Sequence, residues 1–154
     1  MALYQSKQIV QRSPIPSLDE ANEPLYIFGE FVVPASGLAI GDVIEMGGLT
    51  EDMRIIDALV HNTAMGAAAT FDMGVLSRGY GVTTGTARTC GSEFIAGGDW
   101  NVTTVKRLVK SHTASIPMAT ENPSDNSLGW GFKVTGAVLP AGAIVRGLLQ
   151  VMSR

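Results

Sequence analysis

The chain has 154 residues, 45% of them hydrophobic, and its 14 acids outweigh 11 Lys and Arg. That length suits one domain, which can bury enough surface to fold without disulfides or metals. The net charge of −3 argues against nucleic acid as the main partner, the lone Cys90 excludes an internal disulfide, and no run approaches the roughly eighteen apolar residues of a membrane helix.

Eighteen glycines beside only 16% charged residues indicate many tight turns and few solvated helix faces, the balance of an all-β fold. A mean hydropathy of +0.21 is high for a soluble monomer and points to apolar surface covered by another subunit. Charge is uneven: residues 1–60 hold nine acids and three bases, the remainder five acids and eight bases. The N-terminus has no hydrophobic signal region, and a single cysteine fits synthesis in a reducing cytosol.

Residues 1–24 lack periodicity, and Pro14, Pro16 and Pro24 favour extended backbone. The apolar Ile9, Val10, Ile15 and Leu18 predict an extended arm lying on its own domain or on a neighbour. Leu25–Val33, rich in aromatic and β-branched residues, is the first strong strand, with Gly29 marking a bulge or a close backbone approach. Asp42–Met46 follows, closed by Gly47 and Gly48, then Met53–His61, then Thr70–Leu76 with Phe71, Met73 and Val75 on one face. Together Asp42–Leu76 reads as a β-meander.

Residues 77–98 read as a long Gly/Thr/Ser-rich loop with room for one short strand near Tyr80–Thr84. Asp99–Ser111 suits the only helix, with Val102, Val105, Leu108 and Val109 on one face, although its β-branched residues fit a strand as well. Thr113–Met118 reads as an edge strand and Glu121–Ser127 as a polar turn. Trp130–Val138 alternates, placing Trp130, Phe132, Val134 and Val138 together. Ala143–Met152 is apolar on both faces apart from Arg146 and Gln150, so it belongs at the centre of a sheet or against a partner. The whole describes an antiparallel β-sandwich or jelly roll of about eight strands over 25–154, with the arm at 1–24 and at most one short helix.

Chemistry is sparse. His61 and His112 offer no metal spacing, and one cysteine cannot build a zinc site. Cys90 lacks a local base. Gly79, Gly81 and Gly85 miss the phosphate-loop spacing. Asp42, Glu45, Asp57 and Asp72 could pair as acid and base, but carboxylates on the outer face of a sheet are the commoner case. Lys106, Arg107 and Lys110 form a small basic patch that suits a solvated face. Tyr80 and Trp100 are the candidate platform for stacking on a sugar ring, against core packing as the plainer reading. The pattern requires no cofactor and no metal, and suggests a scaffold or binding protein. The alternatives are a carbohydrate- or receptor-binding module of a virion spike and an enzyme on a jelly-roll scaffold.

The run Leu49–Val60, then Gly66–Leu76 with ATFDMGVL, and the ending TGAVLPAGAIVRGLLQVM resemble small structural proteins of tailed-bacteriophage heads. The likeness spans roughly residues 25–152, in pattern more than identity. It implies a capsid decoration or cement protein: a β-sandwich subunit, often a homotrimer, bound to the major capsid protein on the outside of the virion, with neither nucleic acid nor membrane as partner. On that reading the arm residues Ile9, Val10, Ile15 and Leu18 clasp the lattice, and removing residues 1–20 abolishes capsid binding while the sandwich stays folded.

Overall fold

A computed structural model describes residues 2–11, 24–50, 53–77, 88–107 and 128–153. The described strands are β1 (Leu3–Gln5), β2 (Leu25–Val32), β3 (Val43–Leu49), β4 (Met53–Asn62), β5 (Thr70–Leu76), β6 (Ile95–Asp99), β7 (Thr104–Arg107), β8 (Leu128–Val134) and β9 (Ile144–Ser153), with one short helix, α1 (Lys7–Val10). They form a five-stranded sheet in the order β1-β3-β8-β5-β6 and a four-stranded sheet in the order β2-β9-β4-β7. All pairs are antiparallel except β1 with β3. The fold is the expected all-β sandwich.

Period-2 alternation builds the core between the sheets. The four-stranded sheet supplies Ile27, Phe31, Ile55, Val60, Val145 and Leu149. The five-stranded sheet answers with Ile44, Met46, Phe71, Met73, Trp130 and Phe132. β9 takes the central place that its two apolar faces predict, between β2 and β4. Gly29 marks a close approach and not a bulge. Its register with Gly147 is continuous, and a Cβ there would stand 2.8 Å from the Met46 carbonyl oxygen.

Several expectations are corrected. The segment 42–76 is no meander, because β3 and β5 lie in one sheet and β4 in the other, each paired with distant strands. Gly47 and Gly48 are not a turn but part of β3, past a bulge after Glu45. A Cβ on Gly47 would meet the Trp130 Nε1 at 2.8 Å, so glycine there makes room for the indole. The helix expected from Asp99 is absent over its described part: Asp99 ends β6 and 104–107 is strand, as the β-branched residues favour. Finally, Val138 does not share the buried face of Trp130. β8 ends at Val134, a bend follows, and Val138 is exposed. Within the segment read as loop, residues 95–98 belong to strand β6. The edge strand expected at 113–118 and the turn at 121–127 lie outside the described residues.

Candidate interaction surface

The outer face of the four-stranded sheet carries a row of apolar side chains that reach solvent. Strand alternation that buries Ile27 and Phe31 turns Tyr26, Phe28 and Val32 outward, 55%, 44% and 40% exposed. Register sets these beside their neighbours in rows: Tyr26 with Gln150, Phe28 with Leu148 and Leu59, Glu30 with Arg146 and His61, Val32 with Ile144. Leu59, Leu148 and Ile144 are half-buried. The sequence reading took β2 as a strong strand and assigned neither of its faces. The signal was there in Tyr26, Phe28 and Val32, a second apolar set at even spacing on a strand that sits at a sheet edge.

One polar row crosses this face. The Lys7 ammonium donates to Glu30 Oε1 at 2.6 Å, and Arg146 Nε donates to Glu30 Oε2 at 2.7 Å. Arg146 Nη1 also lies 3.5 Å from His61 Nδ1. The Lys7 hydrogen bond, then that of Arg146, holds the Glu30 carboxyl below its ordinary range. Two cations thus share one carboxylate.

The N-terminal segment lies on its own domain. β1 extends the five-stranded sheet beside β3. The Ser6 amide then donates to the Glu45 carbonyl and the Ser6 hydroxyl to the Met46 carbonyl, both at 2.8 Å. α1 follows at the edge of β2, where the Gln8 side-chain oxygen accepts the otherwise open Glu30 N–H at 2.9 Å. Tyr4 meets Phe31 edge-on, with ring centroids 6.0 Å apart. Of the expected arm contacts, Ile9 is buried in this packing and so is not offered to a neighbour, whereas Val10 is 68% exposed. Ile15 and Leu18 lie outside the described residues.

The candidate stacking platform does not form around Trp100, and core packing, the plainer reading, holds. Its ring is fully buried and stacks on Phe71, with centroids 4.4 Å apart and planes 17° from parallel. Neither face is open to a sugar. The reason is local: the chain enters Trp100 from β6, and the Trp100 amide bonds the Ala69 carbonyl at 2.8 Å, which turns the indole inward. Tyr80 lies outside the described residues.

The four candidate carboxylates each serve structure. Asp42 accepts from the Ala2 and Ala39 amides, Asp57 from the Ala58 amide, and Asp72 from the Gly97 amide. Glu45 is fully buried and forms an ion pair with the equally buried Arg88. Gln5 Nε2 donates to the second Glu45 oxygen at 3.1 Å, and Arg88 Nε donates to the Ser77 carbonyl at 2.6 Å. Gly129 leaves space for the pair: a Cβ there would stand 3.0 Å from Glu45 Oε1 and 3.2 Å from Arg88 Nη2. Burial lowers the Arg88 pKa to about 10. Burial also pushes the Cys90 thiol up to about 12, the opposite of an activated nucleophile. Among the described residues, no three His, Cys, Asp or Glu side chains gather to hold a metal ion, and no helix is long and apolar enough to cross a membrane.

No protein-family model matches the sequence, and no curated protein matches it. Solved structures do. A chain from the capsid of Ralstonia phage GP4 is similar over 99% of this chain and 99% of that chain, with a TM-score of 0.81 and 24% identity. A chain from the capsid asymmetric unit of cyanophage Pam1 is similar over 92% of each, with a TM-score of 0.57 and 10% identity. At these identities the likeness establishes a shared fold.

Proposed function

We propose that this chain is a non-enzymatic structural protein of a bacteriophage virion that binds the outside of the assembled capsid and stabilises it, as a decoration or cement subunit does. The observation that carries this reading is the fold likeness to the capsid chain of phage GP4, which runs end to end in both chains. The exposed Tyr26, Phe28 and Val32 on a rigid sheet are consistent with it, because isolated subunits seldom leave an aromatic stripe in water. So are the four candidate carboxylates, which hold backbone amides or, for Glu45, a buried cation.

The mechanism is mass action. A subunit that binds the assembled shell, and not the free major capsid protein, shifts the equilibrium toward the intact particle. If subunits act as a homotrimer, several modest contacts per particle add as avidity. Val10 is the described arm residue exposed to a neighbour in such an assembly. The test is co-sedimentation of the purified chain with empty cognate shells and with unassembled capsid subunits, together with the melting temperature of the shell. Binding to shells alone, with a raised shell melting temperature, is the expected result. Failure to sediment with shells overturns the reading.

A further inference from the structure

The N-terminal segment is fastened to the sandwich by groups that respond to acid. Residues 1–11 contain no Asp or Glu and one cation, Lys7. The described carboxylates that hold the segment all belong to the body of the domain and are spread along its length. Asp42 Oδ1 accepts the Ala2 amide at 2.6 Å, Glu45 Oε2 accepts from Gln5 Nε2 at 3.1 Å, and Glu30 Oε1 accepts from the Lys7 ammonium at 2.6 Å. Bonds to an ionised acceptor are roughly twice as strong as neutral ones. The β1 ladder itself offers little: it is three residues long, and it is the parallel pairing among the described strands.

We propose that acid unlatches residues 2–11 from the sandwich while the two sheets stay packed, baring the edges of β2 and β3 together. The inference goes beyond the virion role and does not depend on it. A lone exposed ion pair contributes little, and the Lys7 side chain is 56% exposed. Here, however, the segment is held at both ends. Glu30 faces Lys7 from α1 and Arg146 from β9, with the His61 ring of β4 behind Arg146. Protonating Glu30 leaves those cations facing one another without their shared anion. Asp42 faces the Ala2 and Ala39 amides, and Lys133 of β8 stands in register with the next residue, Val43. The Lys7 bond, then that of Arg146, holds Glu30 below its ordinary 4.5. Its contribution is therefore complete above 4.5 and is lost as pH falls below that value. The Ser6 and Gln8 bonds and the buried Ile9 do not titrate, so acid weakens the hold without erasing it. The ladders of β9 with β2 and β4 are backbone bonds, which acid leaves in place.

The test is hydrogen exchange read by mass spectrometry on the whole chain, at neutral pH and at about pH 3.5, where free carboxyls are largely protonated. Rates are corrected for the intrinsic pH dependence of exchange. Amides of the N-terminal segment should lose about tenfold or more of their protection in acid, while those of β9 keep theirs. The double variant D42N/E30Q should show the same selective loss at neutral pH. Glu45 is left unchanged, because it also holds Arg88 and its loss would disturb the sandwich itself. If the double variant does not fold, E30Q alone takes its place and should lower protection of the segment by about twofold or more at neutral pH. Segment and β9 losing protection together in acid overturns the inference, since acid then acts on the sandwich as one unit. So does a segment that stays protected at about pH 3.5. A variant whose segment is as protected as the parent's at neutral pH overturns it as well.

Discussion

Glu45 and Arg88 show how one residue pair can anchor a segment distant in sequence. The pair is buried on both sides and joins β3 to the stretch that leads into β6. Glu45→Gln should cost about 3–5 kcal/mol in chemical denaturation, because it strands a buried guanidinium. Replacing both residues by Met should recover most of that loss, since the ion pair's desolvation cost disappears with it. Cys90 makes a second prediction at this scale. Its thiol is held at about 12 by burial, against an ordinary 9.0, so the folded chain keeps a proton that the unfolded chain releases. Its contribution to stability is therefore full below about pH 9 and is lost as pH rises toward 12. Cys90 is half-buried, so alkylation at neutral pH should be slower in the native protein than after denaturation, and native labelling as fast as in the denatured chain would contradict the raised thiol pKa.

At the scale of elements, the N-terminal segment is the part whose role changes most. As an arm it would be separable from the sandwich. In the structure β1 widens one sheet while α1 covers the edge of the other, through Ser6, Gln8 and the buried Ile9. Deleting residues 2–11 should therefore cost roughly 3–5 kcal/mol, the sum of one buried apolar side chain and several hydrogen bonds. It should also raise aggregation, because the β2 edge is bared. A denaturation midpoint that does not move would return the segment to the status of a loose arm. Gly147 tests packing between the sheets. A Cβ there would meet the Trp130 ring at 2.6 Å, so Gly147→Ala should destabilise by about 1–3 kcal/mol through overpacking.

For the molecule as a whole, the last strand is the keystone. β9 pairs along its length with β2 and with β4. Truncation after residue 143 should abolish cooperative unfolding, measured by circular dichroism, since the four-stranded sheet then loses its centre. Pairings this distant in sequence also predict folding in milliseconds to seconds, not microseconds.

Composition and period-2 patterning by themselves determined the class, the individual strong strands and the core positions Phe71, Met73, Trp130, Phe132 and Val134. Those signals are local, and side-chain alternation reports directly which face a strand buries. The central place of β9 was legible for the same reason, because both its faces are apolar. Partner choice was not legible. β3, β4 and β5 follow one another in the chain yet divide between two sheets, because each finds its hydrogen-bonding edge in β8 or β9, many residues away. The same distance hid the interaction surface. Tyr26, Phe28 and Val32 look like any strand's apolar residues until β9 covers one edge of β2 and the core takes its other face. Trp100 sits in the core, as its plainer reading had it, because the β6 path and the Ala69 contact turn its ring inward. Periodicity tells a side chain which way to point. Only the packed sheets decide whether anything is there to meet it.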